Sequence, residues 1–345
     1  MKKHPQRIED EDHLEEMLSN PDDELIKMFR RTDGDILFLG ITGKIGPSIA
    51  ITAAKACRKA GVSKRLMGVS RRPDKEHKHK FERMGIETVN GDLLDTEFVK
   101  SLPDFLNVFF LAGMKFGSTE DLPMTWAINS YLPAMVAERF NGSRIVAFST
   151  GCVYPLVPVE TGGSVESDPP VAVGEYAQSC LGRERMFEYG SNRHGTKTAL
   201  IRLNYSVEMR YGVLVDIAVK VKNRIPVDLT MGYFNVIWQG DMNNYALRAL
   251  EHTDSPAKIL NLTGPEILSV RDTATEFGKL FGTDPVFTNR ESDTALLSNS
   301  SEAFRLFGKP SVSADQMIKW IAGWIEDNGR LLGKPTHFEV RDGKY

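Results

Sequence analysis

Residues 39–46 read LGITGKIG, with Gly40, Gly43 and Gly46 three apart. A loop of this kind after a buried strand and before a helix can do one thing well. Its glycines let backbone N–H groups approach a pyrophosphate at the positive end of the helix. Thr42, Gly43, Ile45 and Gly46 would form the cradle, and Lys44 either touches phosphate or points to solvent. Three glycines alone also fit an ordinary turn; the flanking elements favour a dinucleotide site. About thirty residues on, SRRP places Arg71 and Arg72 where an NAD site usually carries an acid for the ribose hydroxyls. Arginine accommodates a 2′-phosphate, so NADP is the expected cofactor with NAD as the alternative. A solvated basic turn running into KEHKHK is the plainer reading of the same residues. His77 and His79 belong to that charge run and lack neighbouring ligands, so no metal site is expected. A G-x-S-x-G elbow, which a serine hydrolase would need, is absent from the sequence.

The elements that must hold such a loop recur along the chain. Apolar runs at 35–40, 65–70, 85–92, 107–113, 144–150 and 198–204 read as strands. Helical patterns separate them at 47–60, 124–140 and 176–189, the first followed by Gly61. This alternation predicts a Rossmann-type, doubly wound parallel α/β sheet over 34–205. Beyond Tyr205 the pattern loosens into short strands (KNRIPVDLT, YFNVIWQGD, ILNLTG) and helices, one capped by Ser269 and one by the Ser313/Gln316 box. That helix carries the stripe Met317, Ile321, Trp324, Ile325. Residues 206–345 are expected to form mainly a smaller mixed lobe, with some segments returning to the sheet. Residues 1–33 form an acidic preface of two short helices broken at Asn20-Pro21, expected to pack on the main domain.

Composition narrows the classes. The 345 residues are 41% hydrophobic and 26% charged, with a net charge of −3, so no basic field recruits nucleic acid or an anionic membrane. No apolar run approaches a membrane span. Cys57, Cys152 and Cys180 are too few for a disulfide framework, and the expected location is cytoplasmic.

Together these features resemble the extended short-chain dehydrogenase/reductases, in the NAD-dependent epimerase/dehydratase family. The resemblance runs from residue 35 to about 324. It is carried by LGITGKIG, GDLLD, LAG, Asn129, STGCVYP, IRLNYSVEMRYG and FNVIWQGD. It implies Asp92 and Leu93 beside an adenine, and Ala112 and Gly113 lining the cofactor. It gives Thr150 the catalytic hydroxyl position, Tyr176 the general acid/base position, and Ser149 and Asn204 places near the substrate. A sugar or sugar-derived hydroxy/keto substrate and a homodimer built on the helices after the fourth and fifth strands are also implied.

One position departs from the pattern. The family places lysine four residues after the tyrosine; GEYAQSCLGRE has Cys180 there. An unperturbed phenol titrates near pH ~10, so it is a poor base without a cation nearby. A neutral thiol offers no charge. Arg183 lies about two turns along, at the edge of reach, and Lys115 in LAGMKFGS could enter from the opposite wall or stay solvated. No histidine lies nearby in sequence to make Cys180 a nucleophile. Two functions therefore compete: an NAD(P)-dependent oxidoreductase or epimerase/dehydratase with a non-standard site, and a cofactor-binding sensor that lost catalysis.

Overall fold

A computed structural model describes residues 4–71 and 75–344. Its centre is a seven-stranded sheet, parallel throughout. The strands are β1 (Ile36–Leu39), β2 (Leu66–Ser70), β3 (Ile86–Asn90), β4 (Asn107–Phe110), β5 (Arg144–Thr150), β6 (Thr198–Leu203) and β7 (Lys258–Leu262), in spatial order β3-β2-β1-β4-β5-β6-β7. The expected Rossmann-type sheet is therefore present. β1, β2 and β4 are buried along their whole length, as strands covered on both faces must be. The order reverses at β1, and a crevice opens there above the carboxyl ends of β1 and β4.

Helices cover both faces. On one lie α2 (Asp23–Arg31), α3 (Gly46–Ala60), α4 (Lys75–Met84), α10 (Gln239–Arg248) and α12 (Ser301–Phe307), packing Phe29, Ile49, Phe81, Tyr245 and Phe307 into one core. On the other lie α5 (Thr96–Ser101), α7 (Leu132–Arg139) and α8 (Gly174–His194), which bury Val99, Leu132, Val136 and Phe187. The lobe is built from α9 (Val213–Lys222), α11 (Val270–Phe281) and α13 (Ala314–Glu326) around Trp238, Phe277 and Trp320.

Three sequence expectations change. The helix expected over 124–140 is three pieces: α6 (Leu122–Trp126), a π-helical turn (Ala127–Tyr131) and α7. Pro133 has no N–H to return to the carbonyl of Asn129, so the ladder widens just ahead of it. The strand runs expected in KNRIPVDLT and YFNVIWQGD shrink to two-residue ladders: Val227–Asp228 with Phe287–Thr288, Tyr233–Phe234 with Leu268–Ser269, and Ile237–Trp238 with Ser206–Val207. Helix α9 stands where no element was anticipated, because VLVDIAVKVK lacks a side-chain cap and its apolar positions run nearly all round.

The acidic preface is tied to both lobes. Asp10 and Asp22 cap α1 (Glu11–Leu18) and α2. Leu14 and Leu18 enter the lobe core while Leu25, Met28 and Phe29 enter the sheet-side core. Glu15 pairs with Arg210 at 2.9 Å, and Asn243 donates to the Leu18 carbonyl.

Candidate active site

The glycine loop leaves β1 as the sequence implied. Gly40 has φ of 92°, and a Cβ there would lie 2.7 Å from the Ala112 nitrogen. A Cβ on Gly46 would lie 2.3 Å from the Ile41 carbonyl oxygen, so glycine lets α3 start flush against the strand. Gly43 stays exposed, its N–H bonded back to Gly40 O at 3.1 Å. The loop faces a cleft of about 660 Å³ lined by Gly40, Thr42, Gly43, Ser70, Arg71, Asp92, Leu93, Ala112 and Gly113. The shape and the tight glycine contacts fit a dinucleotide. At the end of β2, Ser70 and Arg71 line the cleft, and Asp92 lines it after β3; Arg72 lies outside the described residues. Ile45 packs into the sheet-side core. Lys44 turns away from the loop: its Nζ donates to Gln239 Oε1 at 2.6 Å and sits 4.5 Å above the Tyr211 ring. Burial lowers its pKa to about 8.

Thr150 ends β5 and caps the short 3-10 turn Gly151–Val153 by accepting from Cys152 N at 3.1 Å. Its hydroxyl and the Cys180 thiol both act on the Tyr176 phenol, which packs against Cys180. Thr150, Tyr176 and Cys180 thus meet as one set. Tyr176 is half-buried among Cys152, Ala177 and Met231 on one side and Val153, Tyr154 and Cys180 on the other. Burial pushes its phenol well above the usual value, the Cys180 and Cys152 thiols push the same way, and Arg183 and Thr150 oppose them. Burial also pushes the Cys180 thiol up to about 11, so it is neutral at physiological pH.

Ser149 and Thr150 alternate across β5 and go to different places. Ser149 is paired in register with Arg202 on β6, and its hydroxyl donates to Glu184 Oε1 at 2.5 Å. Arg202 grips the same carboxylate at 2.7 Å and reaches the Tyr154 hydroxyl at 2.7 Å, which donates to Asn261. Ser149 therefore belongs to a buried ion-pair network with Glu184 and Arg202. Asn204 packs on Gly151 and donates to Asn235 at 2.9 Å.

Lys115, in the loop after β4, is tied to the C-terminal segment. Its Nζ donates to the Thr336 carbonyl at 3.3 Å. Burial lowers its pKa, while Cys152, Asp216 and Cys180 pull the other way. Arg183 was the residue the sequence undervalued. It is buried, donating to Phe148 O at 2.7 Å and to Asn129 Oδ1 at 2.6 Å, directly behind Gly113.

The last residues form a strap that no sequence pattern announced. Leu332 N donates to Arg210 O, Lys334 lies 5.0 Å over the Phe116 ring, and Thr336 is held by Asp216. Phe338 is buried against Phe234, Arg341 donates to Thr294 O at 2.7 Å, and Gly343 rests on Val173 and Gly174 at the start of α8. Among the described residues, no group of His, Cys, Asp and Glu is placed to hold a metal, and no helix is long and apolar enough to cross a membrane.

No protein-family profile and no curated protein matches the chain. Solved structures do. MoeE5 in complex with UDP-glucose and NAD aligns with a TM-score of 0.68 at 18% identity, over 86% of this chain and 99% of that one. UDP-glucuronic acid 4-epimerase from Bacillus cereus, in complex with UDP-glucuronic acid and NAD, gives 0.70 at 17% identity, over 85% and 99%. UDP-glucose 4-epimerase from Thermus thermophilus, in complex with NAD, gives 0.68 at 19% identity, again over 85% and 99%. At these identities the likeness establishes the fold.

Proposed function

We propose that the chain is a nicotinamide-dinucleotide-dependent enzyme acting on a hydroxyl or keto carbon of a sugar nucleotide, as an epimerase, dehydratase or reductase. The observation that carries this reading is a glycine-loop cleft lined by the loop after β4, together with Thr150 and Tyr176 meeting at the end of the paired strand β5. The sugar-nucleotide complexes of similarly folded proteins support the substrate class. In this reading Gly40, Thr42, Gly43 and Gly46 hold the pyrophosphate, and Asp92 and Leu93 flank the adenine. The dinucleotide's part is to accept and return a hydride. Thr150 orients the reacting oxygen through its hydroxyl. Tyr176 takes the hydroxyl proton as the carbonyl forms and returns it on reduction. Cys180 stays neutral, and Lys115 is held by the Thr336 carbonyl of the strap. The Cys180 substitution and the overlying strap favour a second reading, a dinucleotide-binding sensor; turnover with sugar nucleotides separates the two.

Arg71 at the cleft supports NADP over NAD. Calorimetric titration should give NADP(H) about tenfold tighter than NAD(H), the scale of one charge-assisted hydrogen bond worth ~1.5 kcal/mol. Arg71→Ala with Arg72→Ala should close that gap. Equal affinities in the unmodified protein would remove the NADP assignment, and binding of neither would remove the cofactor itself.

The same reading extends to assembly. Trp126, Tyr131 and Tyr189 are 38%, 57% and 55% exposed on the paired helices that follow β4 and β5. Aromatic exposure of this kind fits a homodimer joined as a four-helix bundle. Light scattering at micromolar concentration should give twice the 38.6 kDa chain mass; a monomer mass refutes it.

A further inference from the structure

A tyrosine whose phenol is raised by burial needs a positive charge to give up its proton near neutral pH. Arg183 is the cation that acts on the phenol, while Lys115 acts on the thiols beside it. Arg183 stands seven residues after Tyr176 on α8, nearly two full turns and about 10 Å along the axis, so the two share a helix face. Helical side chains lean toward the N-terminus, and this one reaches back under the site. Nη1 donates to the carbonyl of Phe148, two residues before Thr150 on β5. Nη2 donates to Asn129 Oδ1, whose amide donates to Ser179 Oγ at 3.0 Å, which donates to the Tyr176 carbonyl at 2.8 Å. The guanidinium is therefore anchored to the backbone on both sides of the Thr150–Tyr176 pair.

Its surroundings are unusual for a buried arginine. It is 6% exposed, yet among the described residues no carboxylate pairs with it. Glu184, its neighbour in sequence, is taken by Arg202. Its Nε is buried without a hydrogen-bond partner. Burying a cation without a counter-ion costs several kcal/mol. Such a charge is at home where an anion forms beside it. The ionisable groups facing Tyr176 are Cys180 and Arg183 from α8 and Cys152 from the turn after β5. Lys115, from the loop after β4, faces Cys152, Asp216 and Cys180 and is tied to Thr336.

We propose that Arg183 is the positioning cation of this site: held behind Gly113, its guanidinium supplies the positive charge against which Tyr176 releases and recovers its proton. Lysine four residues after a tyrosine would bring that charge along the helix surface. This chain brings it from beneath, and Cys180 leaves the intervening turn uncharged. The same charge draws the Cys180 thiol downward against burial. The assignment rests on the acid–base role proposed for Tyr176, but its test does not use turnover.

Difluorotyrosine placed at position 176 lowers the intrinsic phenol pKa into an accessible range, and fluorine NMR follows its titration in the full chain. Arg183→Met should move the midpoint up by about one unit or more, a tenfold change in phenolate fraction. Arg183→Lys should hold the midpoint near the parent value. Cys180→Lys added to Arg183→Met should bring it back by restoring a cation one turn from the phenol. Gly113→Ala tests the same charge with the arginine present, because its Cβ would lie 2.9 Å from Nη2 and displace the guanidinium. It too should raise the midpoint. A cooperatively melting Arg183→Met with an unchanged midpoint overturns the proposal. Should that variant not fold, an unchanged midpoint in Gly113→Ala overturns it equally.

Discussion

Glu184→Gln should destabilise the protein by about 3–5 kcal/mol in urea unfolding, the largest single loss expected anywhere in the chain. Glu184 and Arg202 have side chains 0% and 1% exposed, joined at 2.7 Å. Glutamine preserves the shape and can still accept from Ser149, but it leaves the Arg202 guanidinium charged, buried and without its anion. The Tyr154 hydroxyl, which Arg202 reaches at 2.7 Å, cannot replace that charge. The pair also joins α8 to β6 and, through Ser149, to β5, so the damage extends to the strand that carries Thr150. Removing both charges with Glu184→Leu plus Arg202→Met should cost far less than Glu184→Gln, because no ion is stranded. A loss below about 1 kcal/mol for Glu184→Gln would mean that water or another anion reaches Arg202.

Tyr176→Phe should lower turnover of a sugar nucleotide by about 10²–10⁴-fold, the usual contribution of a positioned acid/base. Dinucleotide affinity should stay within about threefold, because the phenol sits beside Thr150 and Cys180 and does not line the glycine-loop cleft. Only an oxygen is deleted, so stability should fall little. Stopped-flow or steady-state assays on the variant and parent, paired with calorimetry, read both quantities. Unchanged turnover would remove Tyr176 from the chemistry and favour the sensor reading.

The legible part of the molecule is what local pattern encodes. ILFL, LMGVS and NVFF are fully buried runs bounded by turns, and Gly40 and Gly46 of LGITGKIG sit where a φ of 92° at the first and a near-contact at each demand glycine. Such constraints act over a few residues, so sequence displays them. The π-turn needed one more step, recognising that Pro133 strips the donor owed to Asn129. Short ladders such as Ile237–Trp238 with Ser206–Val207 carry no periodicity, since two residues cannot show one.

Side-chain destinations were the illegible part. Lys44 belongs to the glycine loop by sequence but is drawn to Gln239 and Tyr211, both far along the chain. Ser149 and Thr150 are neighbours, yet strand alternation sends one to Glu184 and the other to Tyr176. The face of α8 on which Arg183 falls is computable. That Phe148, Asn129 and Gly113 would close around it depends on three separate elements. The strap over 330–344 is held by scattered contacts to Asp216, Phe234 and Thr294 and has no signature of its own.

A crystal structure of the protein with a nicotinamide dinucleotide tests the central claim most directly. The account predicts pyrophosphate density against Gly40–Gly46, a nicotinamide on the Thr150–Tyr176 side of Gly113, and the Tyr176 hydroxyl within about 6 Å of the ring, in reach directly or through one water. A nicotinamide seated elsewhere, or a Tyr176 hydroxyl beyond that distance, would contradict it.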